Sequence, residues 1–169
     1  DAVAGAADVV PLDQLDEEGG GRPRVAITFD DAYQGAVTSA VDELVLRRLP
    51  ATIFVAPGRL EGHVFWWDAL ANANATGVLD AHIRNHALDE LGGVDERVRA
   101  WAAETGCPAS DNLPRYACSA TYAELLAASQ RPGVAIGSHT WSHANLAALS
   151  SSQLAGELER PLAWLRKRF

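Results

Sequence analysis

The chain has 169 residues, of which 48% are hydrophobic and 21% charged, a balance that fits one globular domain and excludes a disordered or fibrous protein. Its net charge of −8 argues against binding to nucleic acid or to an anionic membrane surface, because both need clustered Lys and Arg. No apolar run approaches the roughly 20 residues that span a bilayer, so the sequence predicts no transmembrane segment.

Residues 1–23 are predicted to be a lead-in segment without a buried element. The stretch 16–23, DEEGGGRP, is polar and rich in glycine, which is typical of a flexible connection. We therefore expect ordered structure to start near Arg24. The chain contains no methionine, so we also expect it to be a processed or trimmed product.

A strand, a helix and a second strand are predicted next. Residues 25–29 are largely apolar and β-branched, and the run ends in Asp30 and Asp31. Apolar positions recur at helical spacing over 35–48, and 51–55 is another buried strand. This order predicts a βαβ unit with a right-handed crossover.

The middle of the chain, about 59–128, is predicted to be a helical insertion. Residues 94–105 and 121–129 both have the pattern of amphipathic helices. Thr121 and Glu124 form a capping-box signature at the start of the second one.

Two cysteines, Cys107 and Cys118, fall within this insertion. They are too few for a disulfide scaffold and lack the spacing of a zinc knuckle. One local bridge and no bridge are both open, so the sequence leaves the compartment unknown: extracellular, cell-envelope and cytoplasmic locations all fit.

The last predicted elements are a strand at 134–137 and a helix that begins at Ser150. The helix has a capping box with Gln153 and an apolar stripe of leucines over 154–165. Strands that alternate with helices predict a parallel α/β sheet, and ligand sites in such sheets lie beyond the carboxyl ends of the strands. The polar clusters of this chain follow predicted strands.

The residues after these strands could form a metal site. His139 and His143 lie four apart, so a helical turn between them would project both imidazoles from one face. Asp30 or Asp31 would complete a set of two histidines and one carboxylate, and the other acid would act as general base. Both the acid pair and the histidine pair also have an explanation without a metal. Paired acids often cap helices, and two histidines occur at this spacing by chance.

Three segments carry a resemblance to a known family. They are AITFDDAY at 26–33, ATIFV at 51–55 and AIGSHTWSH at 135–143. Together, and in this order, they resemble the motifs of the polysaccharide deacetylases, carbohydrate esterase family four. The resemblance covers 24–57 and the chain from about 133 onward, and the insertion contributes nothing to it.

The resemblance implies roles for four residues. Asp30 would be the catalytic base, and Asp31, His139 and His143 would hold a divalent metal ion, usually zinc. The reaction implied is hydrolysis of the N-acetyl group of an amino-sugar glycan by a water that the metal activates. One departure is Ala32, where the family usually has Gly, and we expect its φ to stay negative because alanine is disfavoured at positive φ.

The fold implied is α/β, a partial distorted (β/α) barrel of the polysaccharide deacetylase type. Two later motifs of the family, Arg-x-Pro-Tyr or -Phe and the Leu-x-His that supplies the general acid, are absent from the sequence. A complete parallel barrel needs about 250 residues. We expect a second chain or a missing C-terminal half to complete the barrel, or helices from 59–128 to cover its open edge.

Other aromatic and histidine residues are also assigned from the sequence. Trp141 lies between the two histidines and is a candidate substrate-binding wall or lid, since aromatic rings stack on sugars. Trp66 and Trp67 are predicted to pack in the core. His82 and His86 also have ligand spacing, but without strand-end context they are expected on a solvated face.

Three functions remain open at this point. The first is a metal-dependent N-deacetylase acting on a glycan. The second is a cyclic amide or imide hydrolase on the same fold, and the third is a carbohydrate-binding remnant without catalysis, which the absent general acid favours.

Overall fold

The structure, a computed structural model, describes residues 5–17 and 21–169. The strands are β1 (Asp8–Val9), β2 (Arg24–Val25), β3 (Thr28–Phe29), β4 (Ala51–Val55) and β5 (Val134–Ser138). The α-helices used below are α1 (Val41–Leu46), α2 (Trp66–Ala73), α3 (Ala81–Asp89), α4 (Asp95–Thr105), α5 (Tyr122–Ser129) and α6 (Ser151–Arg168). No helix in these residues is both long enough and apolar enough to cross a membrane.

The strands form two parallel sheets. β1 pairs with β2, and the main sheet has the order β3-β4-β5. Ile53 of β4 lies between Phe29 on one side and Ile136 on the other. The predicted α/β class with parallel strands is confirmed, but residues 5–17 and 21–169 form no closed barrel.

The main core lies between the β3-β4-β5 sheet and its helices. Ile53 and Val55 point from β4 into a cluster with Val41 of α1 and Leu125 of α5, all essentially inaccessible to solvent. Each side chain of this size contributes about 1.5–3 kcal/mol when fully buried. This cluster fixes the positions of the strand ends that carry the candidate site.

The predicted strand at 25–29 is divided by two residues that belong to neither sheet. β2 pairs with β1, whereas β3 pairs with β4. The expectation that ordered structure starts near Arg24 is therefore wrong, because the lead-in segment supplies β1. Residues 1–4 and 18–20 of that segment lie outside the described residues, and its separation from a domain at 24–169 stays a prediction.

The region 59–128 is rich in helices, as predicted. α4 and α5 match two predicted helices, and the capping box of Thr121 with Glu124 is present, as is that of Ser150 with Gln153 at the start of α6. α2, α3 and α4 bury a second hydrophobic cluster of their own, which includes Trp66 at 3% exposure. Cys107 and Cys118 are both free.

β5 forms an edge of the main sheet. Its only strand partner among the described residues is β4, while α5 and α6 pack against it. The leucine stripe predicted on α6 is only partly used, because Leu165 packs on the core whereas Leu158 and Leu162 are each 44% exposed. The exposed leucines of α6 and the second edge of β5, which has no strand partner among the described residues, are surfaces that further chain could cover.

A buried ionic cluster holds the start of α4. Asp95 is 6% exposed, with Arg99 Nε 2.8 Å and His63 Nε2 3.3 Å from its carboxylate oxygens. Burial raises the pKa of the Asp95 carboxyl, but His63 and Arg99 outweigh burial and leave the pKa below its usual range.

This lowered pKa predicts an acid-sensitive contribution to stability. The Asp95 carboxylate stabilises the fold above its unfolded pKa of about 4, and its contribution is lost as the pH falls through the lower folded pKa. We expect Asp95→Asn to lower the free energy of unfolding by about 1–3 kcal/mol at neutral pH and by less near pH 2. Urea unfolding of both proteins over this range tests this. A difference independent of pH would contradict it, and Asp89→Asn, at an exposed position, is the control.

Candidate metal centre

Two strand ends deliver the predicted site residues to the same edge of the sheet. Asp30 and Asp31 follow β3, and His139 follows β5. The backbone N–H of His139 donates to the carbonyl of Val55 at the end of β4, 2.8 Å away. Because β3, β4 and β5 run parallel, their carboxyl ends meet at this edge.

Asp31, His139 and His143 lie together. Asp31 Oδ1 is 3.5 Å from His139 Nε2 and 3.1 Å from His143 Nε2. One ligand atom from each of the three residues lies within 4.8 Å of the other two. Two segments more than 100 positions apart in the chain therefore present one carboxylate and two imidazoles to the same point.

These donors fit a divalent metal ion. Asp31 Oδ1 is buried and has no hydrogen-bond partner among the described residues, and an unsatisfied buried carboxylate oxygen is costly. A cation held by this oxygen and two imidazole nitrogens would satisfy it, and such a donor set suits zinc and other first-row divalent metals. Burial lowers the pKa of His143, but the Asp31 carboxylate outweighs burial and raises the pKa above its usual value.

The backbone around the three donors is left-handed at four positions. The φ angles are 65° at Asp31, 50° at Ala32, 66° at Thr140 and 62° at His143. The expectation of a negative φ at Ala32 is wrong: this residue is fully buried, and its carbonyl accepts a hydrogen bond from the N–H of Ala120. Left-handed residues other than glycine cost about 1–3 kcal/mol each and persist where the surroundings impose them.

The histidine pair does not lie on a helical turn. Residues 139–145 form an irregular loop, which we call the histidine loop. The N–H of His143 donates to Thr140 Oγ1 across this loop. The two imidazoles meet, with ring centres 4.8 Å apart, because of this folded loop rather than through helical spacing.

Glu157 on α6 holds the histidine loop from one side. Its carboxylate accepts hydrogen bonds from the N–H groups of Trp141 and Ser142, at 2.9 and 2.8 Å, and from the Ser142 hydroxyl at 2.7 Å. From the other side, Arg59 donates to the Ser142 carbonyl and forms a two-pronged ion pair with Glu96. Glu157 therefore accepts from the N–H and O–H groups of the histidine loop, and Arg59 donates to one of its carbonyls.

Comparison with known proteins identifies the family. A profile described as polysaccharide deacetylase matches residues 17–169. The chain belongs to the polysaccharide deacetylase family. The resemblance carried by the three sequence motifs is therefore confirmed, and the match also covers the helical insertion, which the motifs left out.

One solved structure shares the fold of this family member. It is the Streptococcus pyogenes deacetylase PplD in complex with acetate, at 18% sequence identity and a TM-score of 0.52. The match covers 92% of this chain and 46% of that one, so this chain spans less than half the length of PplD. At this identity the likeness speaks for the fold alone. The comparison with curated protein sequences gives no match.

Trp67, which the sequence assigned to core packing, borders the candidate metal centre of this family member. The Trp67 ring centre lies 4.7 Å from that of His143, and Trp67 stacks on Phe65 at 4.5 Å. Its indole N–H donates to the Tyr33 hydroxyl, which donates to Asp68 at 2.5 Å. Burial and the Asp68 hydrogen bond raise the Tyr33 pKa, so this hydroxyl stays protonated.

The Trp141 ring packs against Arg160 and Gly58. The guanidinium carbon of Arg160 is 4.0 Å from the Trp141 ring centre, and a side chain at Gly58 would clash with the indole. The cavity beside the metal centre is lined by Trp66 and Trp67, not by Trp141. A substrate-binding role for Trp141 stays a prediction, and this packing does not favour it.

The remaining predicted residues are also located. Asp30 is exposed at the end of β3, and its role as base stays a prediction. His82 is exposed on α3, whereas His86 is half-buried with its ring 4.7 Å from that of Trp101. His86 therefore packs within the insertion rather than on a solvated face. Neither belongs to the metal centre.

Proposed function

We propose that this chain carries the metal-binding half of a zinc-dependent site that removes N-acetyl groups from an amino-sugar glycan. The observation that supports this most directly is the buried, unpartnered Asp31 Oδ1 facing two imidazole nitrogens. Membership of the polysaccharide deacetylase family supports the reaction class.

Asp31, His139 and His143 would hold the metal ion in this proposal. A bound divalent ion would acidify a water molecule and polarise the amide carbonyl of the substrate. The histidine loop, bound by Glu157 and Arg59, would keep both imidazoles in place while substrate enters. Little reorganisation would then be needed on metal binding.

Asp30 would act as the general base. It is exposed, adjoins Asp31 in the chain and is not one of the three clustered donors, so it would be free to act on the water while Asp31 holds the metal. Asp30 would take a proton as the water oxygen bonds to the acetyl carbon. The C–N bond then breaks, acetate leaves and the sugar amine must receive a proton.

The proton for the amine would come from a residue that the three sequence motifs do not include. The general-acid motif is absent from the sequence, and the chain spans less than half the length of PplD. We propose that a further segment or second chain pairs with the free edge of β5, covers Leu158 and Leu162, and supplies the acid. Loss of a general acid costs about 10²–10⁴-fold in rate.

Acetate release from chitooligosaccharide by the zinc-supplemented chain tests the proposal. We expect slow, zinc-dependent release, and a further loss of about 10²–10⁴-fold in Asp30→Asn with zinc binding retained. If Asp30→Asn released acetate as fast as the wild type, Asp30 would not be the general base. Zinc and glycan binding without any acetate release would support the carbohydrate-binding remnant instead, which the missing acid motif favours.

A further inference from the structure

The helical insertion contacts the histidine loop through residues of α2, α3 and α4. The Trp67 ring of α2 lies against the His143 imidazole, with ring centres 4.7 Å apart. Asn145, the last residue of the histidine loop, binds the turn between α3 and α4, and Glu96 of α4 reaches the loop through Arg59. The insertion, which the sequence motifs leave out, therefore borders the segment that carries both histidines.

Asn145 ties the end of the histidine loop to the turn between α3 and α4. Its backbone N–H donates to the Gly92 carbonyl at 2.9 Å, and its side-chain Nδ2 donates to the Leu88 carbonyl at 3.2 Å. Gly92 and Gly93 are buried with φ angles of 68° and 62°, and a Cβ at Gly93 would lie 3.4 Å from the Asn145 backbone nitrogen. The two glycines therefore let the turn approach the loop, because glycine adopts the left-handed conformation without strain.

Glu96 connects α4 to the same loop through Arg59. Both oxygens of the Glu96 carboxylate accept from the Arg59 guanidinium, at 2.9 and 3.2 Å, and Arg59 Nε donates to the Ser142 carbonyl at 3.0 Å. The hydrogen bond from Arg59 lowers the pKa of Glu96, so this carboxylate is ionised at neutral pH. The Arg59 side chain is only 11% exposed, which limits the water that could replace Glu96 as its partner.

We infer that the helical insertion positions the histidine loop, so that metal binding at Asp31, His139 and His143 is coupled to the stability of α3 and α4. Glu96 and Asn145 are positioning residues: neither is one of the three donors, but each fixes the loop that carries two of them. Such coupling is reciprocal, because a contact that strengthens metal binding is itself stabilised by the metal. The inference rests on the metal centre of the proposed function and names the part of the chain that supports it.

Hydrogen exchange of the zinc-loaded and metal-free chain tests the coupling. The readout is the exchange of residues 86–96, which we call the α3–α4 segment and which includes the Gly93 N–H bonded to the Ala87 carbonyl. We expect zinc to slow this exchange by about three- to tenfold, the factor by which the segment in turn strengthens zinc binding. None of these residues is one of the three donors, so direct ligation does not account for slower exchange.

Glu96→Gln and Asn145→Asp should each lower the zinc affinity by about three- to tenfold and reduce the protection of the α3–α4 segment. Asn145→Asp keeps the oxygen that accepts from the Ala147 N–H but removes the donor to Leu88. Its new negative charge would by itself strengthen zinc binding, so a loss of affinity in this variant is not a charge effect. Glu104→Gln, exposed on α4 like Glu96, is the matched control and should change neither quantity.

Zinc bound without slower exchange in the α3–α4 segment would overturn the inference. Slowing of equal size along the whole chain would also overturn it, because that reflects global stability alone. Unchanged zinc affinity in either variant would do the same, since the contact would then be structural only. Bound zinc without acetate release would overturn the proposed deacetylation and leave this inference standing, whereas a wild-type chain that binds no zinc would overturn both.

Discussion

Asp31→Asn is expected to lose stoichiometric zinc binding, while the neighbouring Asp30→Asn retains it. Asp31 Oδ1 lies 3.5 and 3.1 Å from the two imidazole nitrogens, and an amide oxygen at the same place carries no negative charge for the cation. We expect the zinc affinity to fall by at least about 100-fold, since loss of a ligand exceeds the 10–100-fold effect of its outer partners. Elemental analysis after dialysis and calorimetric titration measure the stoichiometry and the affinity.

Comparing Asp31→Asn with Asp30→Asn distinguishes loss of a metal ligand from loss of a nearby negative charge. Both substitutions remove one negative charge from adjacent positions, so a general charge effect would weaken zinc binding equally in each. His139→Ala and His143→Ala should behave like Asp31→Asn. One equivalent of zinc bound with unchanged affinity by Asp31→Asn would remove the basis of the metal centre.

Glu157→Ala is expected to lower zinc affinity by about 10–100-fold, although Glu157 touches no ligand atom. Its carboxylate accepts three hydrogen bonds from Trp141 and Ser142, which lie between the two histidines. Two backbone donors would lose their acceptor, and the left-handed Thr140 and His143 would be free to relax. Calorimetric zinc titration measures the effect, and circular dichroism checks that the fold is retained.

Glu159→Ala is the matched control for this variant. Glu159 is exposed on the same helix, so its removal changes charge and helix propensity without releasing the histidine loop. Glu157→Gln keeps one acceptor oxygen and should restore part of the zinc affinity. If Glu157→Ala lost stability but bound zinc as tightly as wild type, the residue would be structural only and would not position the ligands.

Local sequence patterns predicted much of the fold. The capping boxes at Thr121 and Ser150 and the buried strand at 51–55 lie where the sequence indicated, because capping and apolar periodicity act between residues close in the chain. The division of 25–29 between two sheets was missed. It depends on β1, whose own residues carry a weak strand pattern.

The sequence indicated that Asp31, His139 and His143 would lie together, but it did not indicate the residues that hold the histidine loop in place. Asp31, His139 and His143 follow strands, so their position at one sheet edge could be inferred. Glu157 has no local signal, since an acid on a helix is ordinary until the histidine loop folds against it. Trp67 was assigned to core packing, and only the folded chain brings its ring next to that of His143.

The sequence by itself determined the family and most of the helices and buried strands, because motif chemistry and periodicity are properties of short segments; the metal-binding roles of Asp31, His139 and His143 stay predictions. Only the tertiary structure decided how the histidines converge, through a left-handed loop held by Glu157 and Arg59, and which aromatic ring borders them. Those features depend on contacts between segments far apart in the chain, whose geometry no local pattern records.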